Sequence, residues 1–201
     1  MNEAQGVIDR FFDLQSKSKM LFADFLESAK EAAARRRIGR GVLYNMRPYQ
    51  AQRSGFKLGK EIGAFPKNTR DIHVYYLGRN DKVILVEVYG QSGDVVNREF
   101  YFYNKNSMES ICFDSSERVR NITLSSLDGE KFTRDVSAGK YGASIRAYKY
   151  NGGLVSMISV CQKEYEQGEM STFQELFYYS GEELDRIINS FPNGFQQQVF
   201  P

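Results

Sequence analysis

From Asp71 onward, runs of Val, Ile, Tyr and Phe alternate with short turn clusters, and this alternation constrains the chain more than any other feature. The clusters fall at 78–81, 90–94, 104–107, 114–117, 128–129, 151–153 and 167–168. β-Branched and aromatic side chains suit a pleated, half-buried surface, whereas Gly, Asn and Asp supply the backbone angles of tight turns. A parallel pair needs a crossover of about a dozen residues or more, and these gaps are too short for one. The strands must therefore pair hairpin by hairpin into an antiparallel sheet.

The strands also repeat. An aromatic-x-Tyr step, with Ile ten residues after the first aromatic, occurs at Tyr101, Tyr103 and Ile111, at Tyr148, Tyr150 and Ile158, and at Phe177, Tyr179 and Ile187. Relaxed copies are Val74, Tyr76 and Ile84, and Ile122, Leu124 and Phe132. The starts lie 27, 21, 26 and 29 residues apart, the period of one hairpin-sized unit reused. Residues two apart share a sheet face, and the Ile across the turn can pair with that face on the next strand. Two readings of the aromatics stand open. They form the core face of the sheet beneath a helix, or a concave face presents Tyr76, Tyr103 and Tyr150 to a partner, for which Tyr offers contact area and a polar tip. The last copy ends differently: Ser180, three residues before Glu183, reads as the cap of a helix that closes the meander near Phe191 and Pro192.

Ahead of the sheet, apolar residues recur at Val7, Phe11, Leu14, Leu21, Phe25, Ala29 and Ala32, mostly in steps of three and four. This is an amphipathic helical stripe. The polar run Ser16-Lys17-Ser18-Lys19 marks a break into two helices, and Gly39 and Gly41 are natural stops. Asp9, Asp13, Asp24 and Glu27 within the stretch argue against docking on an anionic membrane. Between helix and sheet, Pro48, Pro66 and the glycines at 55, 59 and 63 predict irregular chain with one strand near 42–51.

The net charge of +2 hides a split. Residues 32–60 carry eight Lys and Arg and no acid, whereas residues 162–185 hold seven acids against one base. Arg35, Arg36 and Arg37 would close the helix, where cations complement the macrodipole. With Arg40 they form the candidate nucleic-acid contact; Glu164, Glu166 and Glu169 form the candidate docking surface for a basic protein.

Enzymatic motifs are few. One His and no Trp exclude a two-His metal site within one chain. Gly55-Phe56-Lys57-Leu58-Gly59-Lys60-Glu61 has a three-residue spacing where a phosphate loop has four, and Glu61 would repel phosphate. His73 sits in a strand pattern beside Val74, and no carboxylate pair is singled out by an apolar setting. Asn121-Ile122-Thr123 fits a glycosylation sequon, but the start of the chain is neither basic nor followed by an apolar core, so no secretory signal is expected and the sequon reads as strand. Cys112 and Cys161 are too few for a disulfide framework and read as reduced thiols of a cytoplasmic protein.

The units Tyr148-Lys149-Tyr150-Asn151-Gly152-Gly153-Leu154 and Phe177-Tyr178-Tyr179-Ser180-Gly181 resemble degenerate hairpin repeats of the YD and MORN-variant kinds, over residues 72–190. Asp does not follow the Tyr, and no glycine follows Tyr103. A helix joined to such a Tyr-rich meander is similar to the immunity proteins of bacterial polymorphic toxin systems. That resemblance implies tight binding to one cognate toxin domain without catalysis, and it transfers no functional residue.

These readings predict an α+β fold in one domain, 1–201. A long N-terminal helix, or two helices, occupies 1–40. A basic, partly irregular connector follows at 41–70. A large, curved antiparallel meander of about 8–10 strands fills 71–180, with a short C-terminal helix and tail over 181–201. The expected function is non-catalytic protein binding, with no cofactor and no metal. Nucleic-acid association through residues 35–60 is the alternative, and an exposed sheet edge offers a route to a homodimer.

Overall fold

The computed structural model describes residues 2–165 and 168–201. Helix α1 (Asn2–Ser16) and helix α2 (Ser18–Ala32) are separated at Lys17, where the polar run predicts a break. Strand β1 (Arg35–Arg40), the short helix α3 (Gln50–Arg53) and strand β2 (Lys60–Glu61) follow. The meander then runs through β3 (Ile72–Leu77), β4 (Val83–Tyr89), β5 (Val95–Asn104), β6 (Ser107–Asp114), β7 (Val119–Asp128), β8 (Lys131–Gly139), β9 (Gly142–Asn151), β10 (Leu154–Glu164), β11 (Met170–Ser180), β12 (Glu183–Ser190) and β13 (Gln196–Phe200). Among the described residues, thirteen strands form one antiparallel sheet in sequence order from β13 down to β3, with β1 and then β2 beyond β3. It is an open sheet, with β13 and β2 at its edges.

Among the described residues, 71–180 hold nine strands, β3 to β11, within the expected 8–10, and the sheet reaches thirteen because β1 and β2 add to one edge and β12 and β13 to the other. Three expectations are corrected. Arg35, Arg36 and Arg37 do not close a helix: α2 stops at Ala32, and Ile38 pairs with Val74, extending the sheet past β3. Residues 181–190 are not a helix. Ser180 pairs with Glu183 across a tight turn, Gly181 takes φ +64°, and Ile187 lies fully buried opposite Phe177. Burying Ile187 stabilises the strand by about 1.5–3 kcal/mol, more than the ~1 kcal/mol of a capping box. Nor is there a strand at 42–51; that chain runs across the sheet rather than along its edge.

One face of the sheet belongs to the helices. Leu85, Phe100, Ile111, Ile122 and Ala138 sit opposite one another on successive strands, and all are at most 1 % exposed. Phe11 of α1 and Phe22 of α2 bury on this ladder, and the Phe22 ring meets Phe100 and Phe113 edge-on at 6.4 and 5.4 Å.

The opposite face is covered by the connector. Leu43, Tyr44 and Met46 pack on Tyr75, Val86, Tyr101 and Met108, and Tyr49 packs on the cluster of Tyr148, Ile158, Phe177 and Ile187. The Leu43 N–H donates to the Tyr75 hydroxyl on β3, while Gly55 approaches Val199 on β13. A dozen residues that include a helical turn reach about 30–35 Å. The strand spacings from β3 to β13 come to about 48 Å in a flat sheet. The sheet must therefore curl around the connector, whose face is the concave one. Register shifts within seven of its strand pairs supply local bends.

Candidate functional site

The acidic stretch is divided by the sheet. Glu164 ends β10 and Glu169 precedes β11, both exposed at one end of the sheet; Glu166 lies outside the described residues. Glu182, Glu183 and Asp185 sit at the other end, because β11 runs eleven residues, about 35 Å, between them. Glu175 is buried in the middle against Arg53.

The tyrosines do not share a surface. Tyr76 is on the helix face, where its hydroxyl donates to buried Glu87 at 2.9 Å beside Arg98 and Tyr89. Tyr103 and Tyr150 are on the connector face and donate to the carbonyls of Val83 and Phe132 at 2.8 Å each. Tyr179 does the same to Val155 at 2.7 Å. In all three repeats the second aromatic fastens its strand to the start of the preceding strand. The Ile of the repeat divides: Ile158 and Ile187 pair with Tyr148 and Phe177, but Ile111 pairs with Phe100 on the helix face. A bulge within the β9–β10 and β11–β12 pairs, missing from β5–β6, makes the difference.

The basic run is divided too. On β1, Arg36 and Arg40 share one face with Ile38, while Arg35 and Arg37 point the other way. Arg35 pairs with Asp81 at 2.7 Å, and Arg37 donates to the Tyr44 hydroxyl at 3.0 Å and reaches Glu61 at 3.5 Å.

What does gather at the Glu164 end is aromatic. Tyr141, in the β8–β9 turn, is 69 % exposed, and its carbonyl accepts the Tyr165 N–H at 3.0 Å. The Tyr165 ring stacks at 6.4 Å on Phe12, which is 51 % exposed, and Lys140 Nζ lies 5.2 Å over the Tyr141 ring. Gly142 permits this geometry, since a Cβ there would stand 2.3 Å from the Lys163 carbonyl oxygen. Glu164, Glu169 and the half-exposed Met170 flank the cluster. Sequence reading misses Tyr141 because it sits in a turn, and Phe12 because it stands beside the helical stripe of Phe11. The signal was the doublet itself: helical neighbours are rotated by about 100°, so burying Phe11 turns Phe12 outward.

A second group lies beneath the connector. Arg47, counted in the basic run, is 6 % exposed; it donates to Ser125 Oγ at 2.9 Å and Ser110 Oγ at 3.0 Å, and faces Asp135 at 3.6 Å. Arg53 holds Glu175 and also donates to the Tyr148 hydroxyl at 3.4 Å. Tyr148 in turn donates a short bond to Asp135. Burial first, and then the Asp135 carboxylate, pushes the Tyr148 pKa well up, so the hydroxyl remains a donor. Arg47, Arg53, Asp135 and Glu175, with Arg146, line a cleft of about 210 Å³. Among the described residues, no three His, Cys, Asp or Glu side chains gather as a metal site requires. No family model matches the chain, and no curated protein matches it.

Proposed function

We propose that this protein is a non-catalytic protein-binding protein, and that it neutralises a cognate toxin as immunity proteins do. The observation that carries the binding reading is the pair of exposed aromatics Tyr141 and Phe12, linked through half-buried Tyr165, beside Glu164 and Glu169. Exposed aromatic side chains grouped beside charges have the composition of an interface core and rim. The two carboxylates favour a partner with a basic rim. The division of the β1 arginines between two faces, with two of them paired to acids, weighs against the nucleic-acid alternative.

The test places a photo-crosslinking residue at Tyr141 or, as control, at exposed Phe56, and irradiates the full chain in lysate of the producing organism. The expected result is one protein adduct from position 141, retained after nuclease and in high salt. Adducts of equal yield from both positions, or an adduct lost with nuclease, would contradict the reading.

A further inference from the structure

The cleft beneath the connector holds three arginines, Arg47, Arg53 and Arg146, against two carboxylates, Asp135 and Glu175. Both carboxylates are engaged: Glu175 accepts from Arg53, and Asp135 accepts from Tyr148 and faces Arg47. Arg146 is the cation left over. Its Nη1 donates to Ser144 Oγ at 2.8 Å, but its buried Nε has no hydrogen-bond partner among the described residues. Two buried acceptors from the same lining, Gln50 Oε1 and Asp135 Oδ1, also lack one, the latter standing 3.6 Å from Arg47 Nε.

An unmade buried hydrogen bond costs about 1–3 kcal/mol. Three within one cleft therefore define what would fill it. The surplus positive charge calls for an anion, the orphan Nε for an acceptor, and the two orphan oxygens for a donor. Carboxylate and sulfate supply acceptors only at neutral pH. Hydrogen phosphate, or a phosphomonoester in its monoanionic form, supplies both acceptor oxygens and an O–H. Burial, and after it the neighbouring Arg53 cation, pulls the Arg146 pKa down, and an anion at this place opposes the second effect.

We infer that this cleft binds a protonatable phosphate group, free or as a phosphomonoester, held at Arg146 Nε with its hydroxyl directed to Gln50 Oε1 or Asp135 Oδ1. The site lies on the concave face and is independent of the docking reading.

The arginine Nε–H resonances of the full chain report on it directly, followed by NMR with inorganic phosphate, methyl phosphate, sulfate or acetate at matched ionic strength. The Arg146 signal should shift saturably with phosphate or methyl phosphate, whichever is the better ligand naming the source. Sulfate and acetate should bind roughly tenfold more weakly or less. Arg146→Gln should abolish the phosphate-induced shifts of the Arg47 and Arg53 signals from the same cleft. Since that variant removes a buried charge, Gln50→Glu on half-buried α3 is the second test, and it should weaken phosphate binding roughly tenfold. An Arg146 signal unmoved by every anion would mean water alone fills the cleft, and equal responses to sulfate and phosphate would mean that only charge is read. Either result overturns the inference.

Discussion

Arg53 and Glu175, 122 positions apart in the chain, meet at 2.5 Å with side chains only 9 % and 8 % exposed. This pair ties the connector to β11. Removing one partner strands a buried charge, so Glu175→Gln should lose about 3–5 kcal/mol in urea unfolding. The double variant Arg53→Met, Glu175→Leu should recover most of that, because it removes both charges together. Equal losses in single and double variants would show that the pair is not what fastens the connector.

The clasps made by Tyr103, Tyr150 and Tyr179 predict a graded series. Each Tyr→Phe change removes one hydroxyl-to-carbonyl bond and should cost about 1 kcal/mol. Tyr103 lies four strands from Tyr150, so its loss should add to the others. Tyr150, however, pairs with Val155, the acceptor of Tyr179, and the triple variant should depart from the sum by the coupling of those two. Chemical denaturation of the wild type and the four variants measures this.

Stability should fall at both ends of the pH range. Burial lowers the His73 pKa below 6.5, against a smaller opposing effect of Asp71. The unfolded chain then binds the proton more tightly, so this contribution is present above pH 6.5 and lost as pH falls below it. Burial pushes Tyr75 and Tyr103 up to about 12 from 10.0, so their contribution is present below pH 10.0 and lost as pH rises toward 12. Unfolding curves of wild type and His73→Gln should converge in acid and differ at neutral pH.

Cys112 should resist alkylation in the native protein. Burial first, then Glu99, raises its thiol to about 12, leaving almost no thiolate at neutral pH. Iodoacetamide labelling followed by peptide mapping should find Cys112 modified only after denaturation.

The repeat of aromatic-x-Tyr and the short turns made the antiparallel meander legible, and the polar run at 16–19 made the helix break legible. Both are local signals. The β12 error came from the same source: Ser180 and Glu183 match a cap locally, but the partner that decides, Phe177, is supplied by the sheet. Charge runs misled for a related reason. Alternation along β1 sends neighbouring arginines to opposite faces, and the length of β11 separates acids that are close in sequence. Arg47 and Arg53 look like surface bases until the connector is seen to cross the concave face. Their partners come from β6 to β11, and no spacing rule links such distant positions.

The docking claim is tested most directly by partner affinity, measured by titration calorimetry with the cross-linked partner, for wild type and for the double variant Phe12→Ser, Tyr141→Ser. Both side chains are at least half exposed, so unfolding should move by less than about 1 kcal/mol. Two interface anchors of about 2 kcal/mol each predict an affinity loss approaching roughly a thousandfold. Unchanged affinity in a folded double variant, or a loss found instead on changing Arg35, Arg36 and Arg40, would contradict the account.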